Sequence, residues 1–170
     1  MSIKNNNELL RKAAMSGNTK SVKRLIPLSD PTCDNSLALV AAATFGHTEC
    51  VKLLIPVSRP EKSYALYWAA YYGNREIVEM LIPVSDPLHN ESVALQGAVK
   101  NGHKSCVDLL YPVSDSKAAL HALKTQYPDE PQKWQHLDER EAERFNGVLN
   151  RVLRKEVGEA KLKSSRPRKI

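Results

Sequence analysis

The tripeptide Leu-Ile-Pro occupies residues 25–27, 54–56 and 81–83 of this chain and returns as Leu-Tyr-Pro at residues 110–112. The intervals between these tripeptides are 29, 27 and 29 residues. A fixed period in this range is typical of stacked supersecondary units, each of which buries its apolar face against its neighbours. The chain is therefore predicted to be a repeat protein, an architecture that presents an extended binding surface.

Each unit is predicted to hold two helices separated by a glycine. The first helix carries leucine and alanine at helical spacing, and the glycine ends it because a left-handed residue costs least there. Its predicted N-caps are Asn7, Ser36, Ser63 and Ser92. The second helix begins at Asn18, His47, Asn74 or His103 and stops at the proline of the tripeptide.

These signals predict an all-α fold, a helix-turn-helix repeat solenoid with a C-terminal capping helix. The solenoid spans residues 5–126, with units at 7–31, 36–60, 63–87 and 92–115 and a half unit at 116–126, capped by Ser116. The first unit is read as an N-terminal cap, because polar side chains replace apolar ones on one face.

A different helix is predicted at residues 132–158, after a breaker segment at 127–131. Its apolar face carries Ala142, Phe145, Val148, Leu149, Val152 and Leu153. We expect this face to lie over the last repeat as a lid. Residues 159–170 are expected to form a loose basic tail.

Composition bounds the function. The net charge of +6 comes mainly from the last ten residues; without their five basic groups the balance is 20 minus 19, or +1. No apolar run could span a membrane and no signal peptide is visible, so a cytoplasmic protein is expected. Cys50 and Cys106 fall in the same slot two units apart, too far apart for a disulfide, which favours a reducing compartment.

No catalytic, cofactor-binding or metal-binding constellation stands out, so a non-enzymatic protein is expected. His47 and His103 recur with the unit and are too far apart to share a metal ion. A structural role is therefore the favoured interpretation of both histidines. A separate catalytic fold in residues 117–160 is disfavoured by the shortness of that segment.

The repeats resemble the ankyrin family. The resemblance rests on two segments. They are LVAAATFGH at residues 39–47, followed by VKLL at 51–54, and LYWAAYYGN at residues 66–74. The resemblance covers roughly residues 7–112. The units fall 4 to 6 residues short of the family's 33, and Pro-Val-Ser-Asp-Pro replaces its loop, so its β-turn fingers should be shortened. Near-identical tripeptides in successive units indicate recent duplication and are similar to those of microbial and viral ankyrin arrays, a resemblance that implies an effector or anti-host role.

In that family the residues before the repeat glycine face a concave groove and often touch partners. The resemblance therefore implies a partner-binding set, which is Thr44, Phe45, Tyr67, Tyr71, Tyr72, Lys100 and Asn101. Core packing is the alternative for these aromatic residues, and it is the favoured one for Trp68. The implied function is binding of another protein, as an inhibitor, an effector or a scaffold.

The alternative function is a nucleic-acid-associated adaptor. Its basis is the basic tail, with Lys161, Lys163, Arg166, Arg168 and Lys169. Such a cluster can neutralise phosphates on nucleic acid or lipid. The simpler interpretation is a solvated terminus, with no membrane partner.

Overall fold

The computed structural model describes residues 3–62 and 64–164, and in those ranges it consists of helices joined by turns and loops, with no strand. In chain order the helices are α1 (Ile3–Met15), α2 (Thr19–Leu25), α3 (Cys33–Thr44), α4 (Thr48–Leu54), α5 (Ala65–Tyr71), α6 (Arg75–Leu81), α7 (His89–Lys100), α8 (Lys104–Leu110), α9 (Ser116–Gln126) and α10 (Gln135–Ser164). The predicted all-α class and the helix pairs are confirmed.

The helices form two rows. Each of the odd-numbered helices, from α1 to α9, packs against the next odd-numbered helix. The short helices are α2, α4, α6 and α8, and each packs on the first helix of its own unit and on the neighbouring short helices. The core between the rows is built from leucine and alanine, with Leu10, Leu39, Leu66 and Leu95 all buried at the same register. Small alanines beside them let the long helices approach closely, as the sequence pattern predicted.

The glycine turn is tied to the next unit by one side chain. Gly17, Gly46, Gly73 and Gly102 have φ between +69° and +76°, which favours glycine. The His47 ring lies so close to Gly17 that a Cβ there would meet its Nδ1 at 2.6 Å. His47 Nε2 bonds the carbonyl of Met15 at 3.0 Å. His103 bonds Tyr71, and Asn74 bonds Ala43, in the same way, which confirms the structural role of both histidines.

Proline ends each short helix, as predicted. The α-helical hydrogen bonding stops at the leucine of the tripeptide, and the proline lies inside a 3-10 turn that follows. These turns are Ile26–Leu28, Ile55–Val57, Ile82–Val84 and Tyr111–Val113, with further 3-10 turns at Pro60–Lys62 and Pro131–Lys133. The loops between units hold no strand-like finger in the described part of the chain.

The predicted N-caps Asn7, Ser36 and Ser92 are wrong. α1 begins at Ile3, so Asn7 lies inside it, and the side chain of Asn7 accepts from the backbone N–H of Asp30 at 2.7 Å. The buried hydroxyl of Ser36 accepts from the N–H of Arg59 at 2.8 Å. Ser92 accepts in the same way from the residue 23 positions on. These side chains close their own units, and Ser63 lies outside the described residues.

Left-handed turns introduce two of the first helices. Asp34, Asn35 and Ser36 all have φ between +50° and +61°, and Asn90 to Ser92 repeat this conformation. Such a turn costs energy for residues with a side chain. The closing bonds of Ser36 and Ser92 help to hold these turns in place.

The start of α9 also differs from the prediction. Asp115 is its N-cap and accepts from the N–H of Ala118 at 3.0 Å. Ser116 is buried, and its hydroxyl bonds the carboxylate of Glu141 on α10.

α10 does not form the predicted lid. Only its first turns reach the stack, where Leu137 is buried, and every residue from 142 to 151 is exposed. Phe145 is 65% exposed, so the expectation that it packs over the last repeat is wrong. The short helices stop at a proline, whereas no proline lies between residues 135 and 164, so this helix continues past the stack.

Half of the predicted basic tail, residues 165–170, lies outside the described residues. Residues 159–164, with Lys161 and Lys163, belong to α10. Arg166, Arg168 and Lys169 lie outside the described residues, so the predicted role of the tail stays a prediction.

Candidate functional site

The end of α5 carries four aromatic rings in mutual contact, the aromatic cluster of Tyr67, Trp68, Tyr71 and Tyr72. Neighbouring ring centroids lie 4.9 to 6.0 Å apart, and most pairs are edge-to-face. Their spacing of one and four residues places them on adjoining faces of one helical turn. The sequence-predicted Tyr67, Tyr71 and Tyr72 are therefore brought together by one short helix.

α5 separates its small side chains from its aromatic ones. Ala65, Leu66, Ala69 and Ala70 are buried in the core. Tyr72 is 52% exposed, while the other three rings of the aromatic cluster are half-buried against one another. The structure therefore gives Trp68 a place in the cluster rather than in the buried core.

Tyr67 is positioned by a glycine of the next unit. A Cβ on Gly97 of α7 would lie 3.2 Å from the Tyr67 ring, so glycine lets this ring settle against the helix. A cavity of about 220 Å³ opens beside the ring and is lined also by Lys100 of α7 and Gln126 of α9. Burial raises the pKa of the Tyr67 hydroxyl. The site thus has a polar recess beside its aromatic surface.

Lysines and a tyrosine extend the surface toward the C-terminal end of the stack. The Nζ atoms of Lys100 and Lys133 lie 4.8 and 4.2 Å from the centre of the Tyr127 ring. Cation–π attraction of this kind favours the charged amine. A hydrogen bond with Tyr127 raises the pKa of Lys100. The predicted residue Lys100 is thereby held beside the aromatic cluster.

Sequence reasoning missed Tyr127, Lys133 and Trp134, which it treated as parts of a breaker segment and the start of a new helix. Trp134 donates from Nε1 to the carbonyl of Tyr127 at 3.0 Å, and Lys124 stands 4.9 Å from the Trp134 ring. Aromatic residues on either side of two prolines were the available signal, but this loop lies outside the repeat register.

The remaining predicted residues stand apart from the aromatic cluster. Phe45 is 54% exposed at the equivalent position of the preceding unit. Thr44 and Asn101 hydrogen-bond carbonyls four residues earlier in their own helices, at 2.8 Å in each case. They flank the cluster, with part of their hydrogen-bonding capacity already used.

In the described part of the chain, no three His, Cys, Asp or Glu side chains come together to hold a metal ion. In that part of the chain no helix is long and apolar enough to cross a membrane.

A family model described as ankyrin repeats matches residues 10–90 in three copies. This stretch is therefore similar to ankyrin repeats, and it makes up just under half of the chain. A search of curated proteins and a search of solved structures each give no match. The repeat pattern of this chain continues past the matched range, because Gly102, His103 and Leu110 recur at the same offsets.

Ankyrin repeats are in general protein–protein interaction modules. The family therefore agrees with the predicted class of function, in which the stack presents side chains to another protein.

Proposed function

We propose that this ankyrin stack binds a partner protein through the face that carries the aromatic cluster, and that it acts by occlusion or scaffolding, as an inhibitor or effector. The observation that carries this proposal is the contact of four aromatic rings at the exposed end of one helix, beside a lysine. Tyrosine and tryptophan are enriched among the residues that dominate binding energy.

The form of the surface also supports the proposal. Each ring of the aromatic cluster packs on at least two others, so little side-chain freedom is lost on binding. Phe45 and Asn101 extend the surface over the flanking units, and the recess beside Tyr67 can receive one side chain of a partner.

The test is a double substitution at the exposed edge of the cluster. Tyr71→Ala with Tyr72→Ala should leave the helical circular dichroism spectrum intact, because neither ring belongs to the buried core. Truncation of a dominant binding residue costs about 2 kcal/mol or more, so capture of the partner should fall by well over tenfold. Capture is measured by affinity isolation and quantitative mass spectrometry.

The matched control removes residues 161–170. This deletion should barely alter capture at physiological salt if the aromatic surface is the site. A silent tyrosine pair together with a fatal tail deletion would overturn the proposal in favour of the electrostatic adaptor.

A further inference from the structure

A second surface lies at the C-terminal end of the stack. The outward side of α9 and the adjoining side of α10 enclose a groove of about 840 Å³, here named the end groove. Its apolar lining is Leu120 of α9 with Phe145 and Val148 of α10. No residue of the aromatic cluster lines it, so it is separate from the site proposed above.

The end groove forms because only the first turns of α10 pack against the end of the stack, and the helix then continues past it. Its first turns contact α8 and the turn after it, through an ion pair of Arg140 with Asp108 and a hydrogen bond from the Tyr111 hydroxyl to Glu141. From residue 142 to residue 151 it has no cover, which is about 15 Å of helix.

The uncovered helix is amphipathic. Phe145, Val148 and Leu149 lie at i, i+3 and i+4 and are 65%, 50% and 44% exposed. A stripe with this spacing normally faces a packing partner. Contiguous apolar side chains next to a groove are typical of an interaction site.

The charges around the end groove favour one kind of occupant. Its two acidic side chains are engaged: Asp115 caps α9, and Glu141 accepts from the hydroxyls of Tyr111 and Ser116. On the basic side, Lys124 is paired with Asp138 at 2.8 Å. Lys117 on one wall is exposed, and Arg144 on the other is 61% exposed and keeps only a 3.8 Å ion pair with Glu141, so both can face an incoming group.

We propose that the end groove is a docking site for an acidic amphipathic helix of a partner protein. The apolar face of that helix covers Leu120, Phe145 and Val148, and its carboxylates face the two basic walls. A second copy of α10 fits less well, because exposed Arg144 and Arg151, seven residues apart on one side of the helix, would bring like charges together.

The direct test uses the full chain and three labelled synthetic peptides of about 18 residues, which is about five helical turns. The first has leucine at i, i+3, i+4 and i+7 with glutamate beside the leucines. The second has lysine for every glutamate, and the third has the composition of the first in an order without a stripe. Fluorescence anisotropy should give micromolar binding of the first peptide and binding at least about tenfold weaker for the other two.

The chain supplies its own matched variants, since it has two phenylalanines and both are exposed. Phe145→Ala should lower the affinity for the acidic peptide by about tenfold or more, whereas Phe45→Ala on the repeat face should leave that affinity unchanged. Lys117→Glu should lower the affinity for the acidic peptide and raise the affinity for the lysine peptide. Thermal unfolding of each variant checks that the stack is intact.

Several results would overturn the proposal. One is absence of binding by the acidic peptide, and another is equal binding of the acidic and lysine peptides. A third is unchanged affinity in the Phe145→Ala variant. Sedimentation velocity provides a fourth, because a dimer that Phe145→Ala dissociates would show that a second copy occupies the end groove.

Discussion

A single side chain closes three of the units at a fixed distance along the chain. Asn7, Ser36 and Ser92 accept a backbone N–H from the residue 23 positions later. The serines are fully buried, so the N–H that they satisfy has little access to water. A residue predicted to be a helix N-cap thus instead forms a hydrogen bond between the start of its unit and the end of that unit.

Ser92 offers a test that separates the two roles. Ser92→Ala should lower the free energy of unfolding by about 1–3 kcal/mol, because it leaves a buried donor without an acceptor. Ser92→Asp should cost at least as much, since a carboxylate would be buried there. Urea denaturation measures both changes.

The aspartate variant is the discriminating one, because aspartate and serine are equally good N-caps. A Ser92→Asp protein as stable as the natural chain would return Ser92 to the capping role. Ser105→Ala, at an exposed position of α8, is the control and should change stability by less than about 0.5 kcal/mol.

At the scale of the element, α10 combines two parts with different surroundings. Leu137 is fully buried, whereas Phe145, two turns later, is 65% exposed. Leu137→Ala should therefore destabilise the fold by about 2–5 kcal/mol, and Phe145→Ala should stay within about 0.5 kcal/mol. Denaturant midpoints of the two variants give the comparison.

Equal losses in the two variants would mean that the Phe145 face packs on the stack after all. An equally stable Leu137→Ala protein would mean that the first turns of α10 add nothing to the stack.

The limits of prediction from sequence also lie at this scale. The helix pairs followed from the repeat because glycine, proline and the leucine-alanine stripe act within one unit. The apolar pattern of α10 identified the face that needs cover, but whether a neighbour stands beside that face depends on where the stack ends. The hydrogen bonds of Ser36 and Ser92 could not be predicted for a related reason, since a helix-capping serine and a serine that accepts a long-range bond look alike in sequence.

The candidate site divides in the same way. Tyr71 and Tyr72 could be placed from their offset to Gly73, because that offset is set by the repeat. Tyr127 and Lys133 could not, because the segment between α9 and α10 follows no repeat and its contact with Lys100 joins parts of the chain far apart in sequence.

Over the whole molecule, stability is expected to follow the number of neighbours that each element has. In a stack with nearest-neighbour contacts, the middle units are held from both sides and the ends from one. The helices α3 to α8 lie in the middle. Residues 142–151 of α10 are all exposed, and an isolated helix of that length is marginal in water.

Hydrogen exchange followed by mass spectrometry tests this distribution. Amides of residues 142–151 should exchange orders of magnitude faster than those of α5 and α7, because the latter open only with the stack. Leu137 should mark the boundary between the slow and fast parts of α10. If residues 142–151 are as protected from exchange as α5, the helix is not uncovered. If that protection is lost on dilution, a second copy of the chain is what covers it. Fast exchange at every dilution leaves this face of the monomer open.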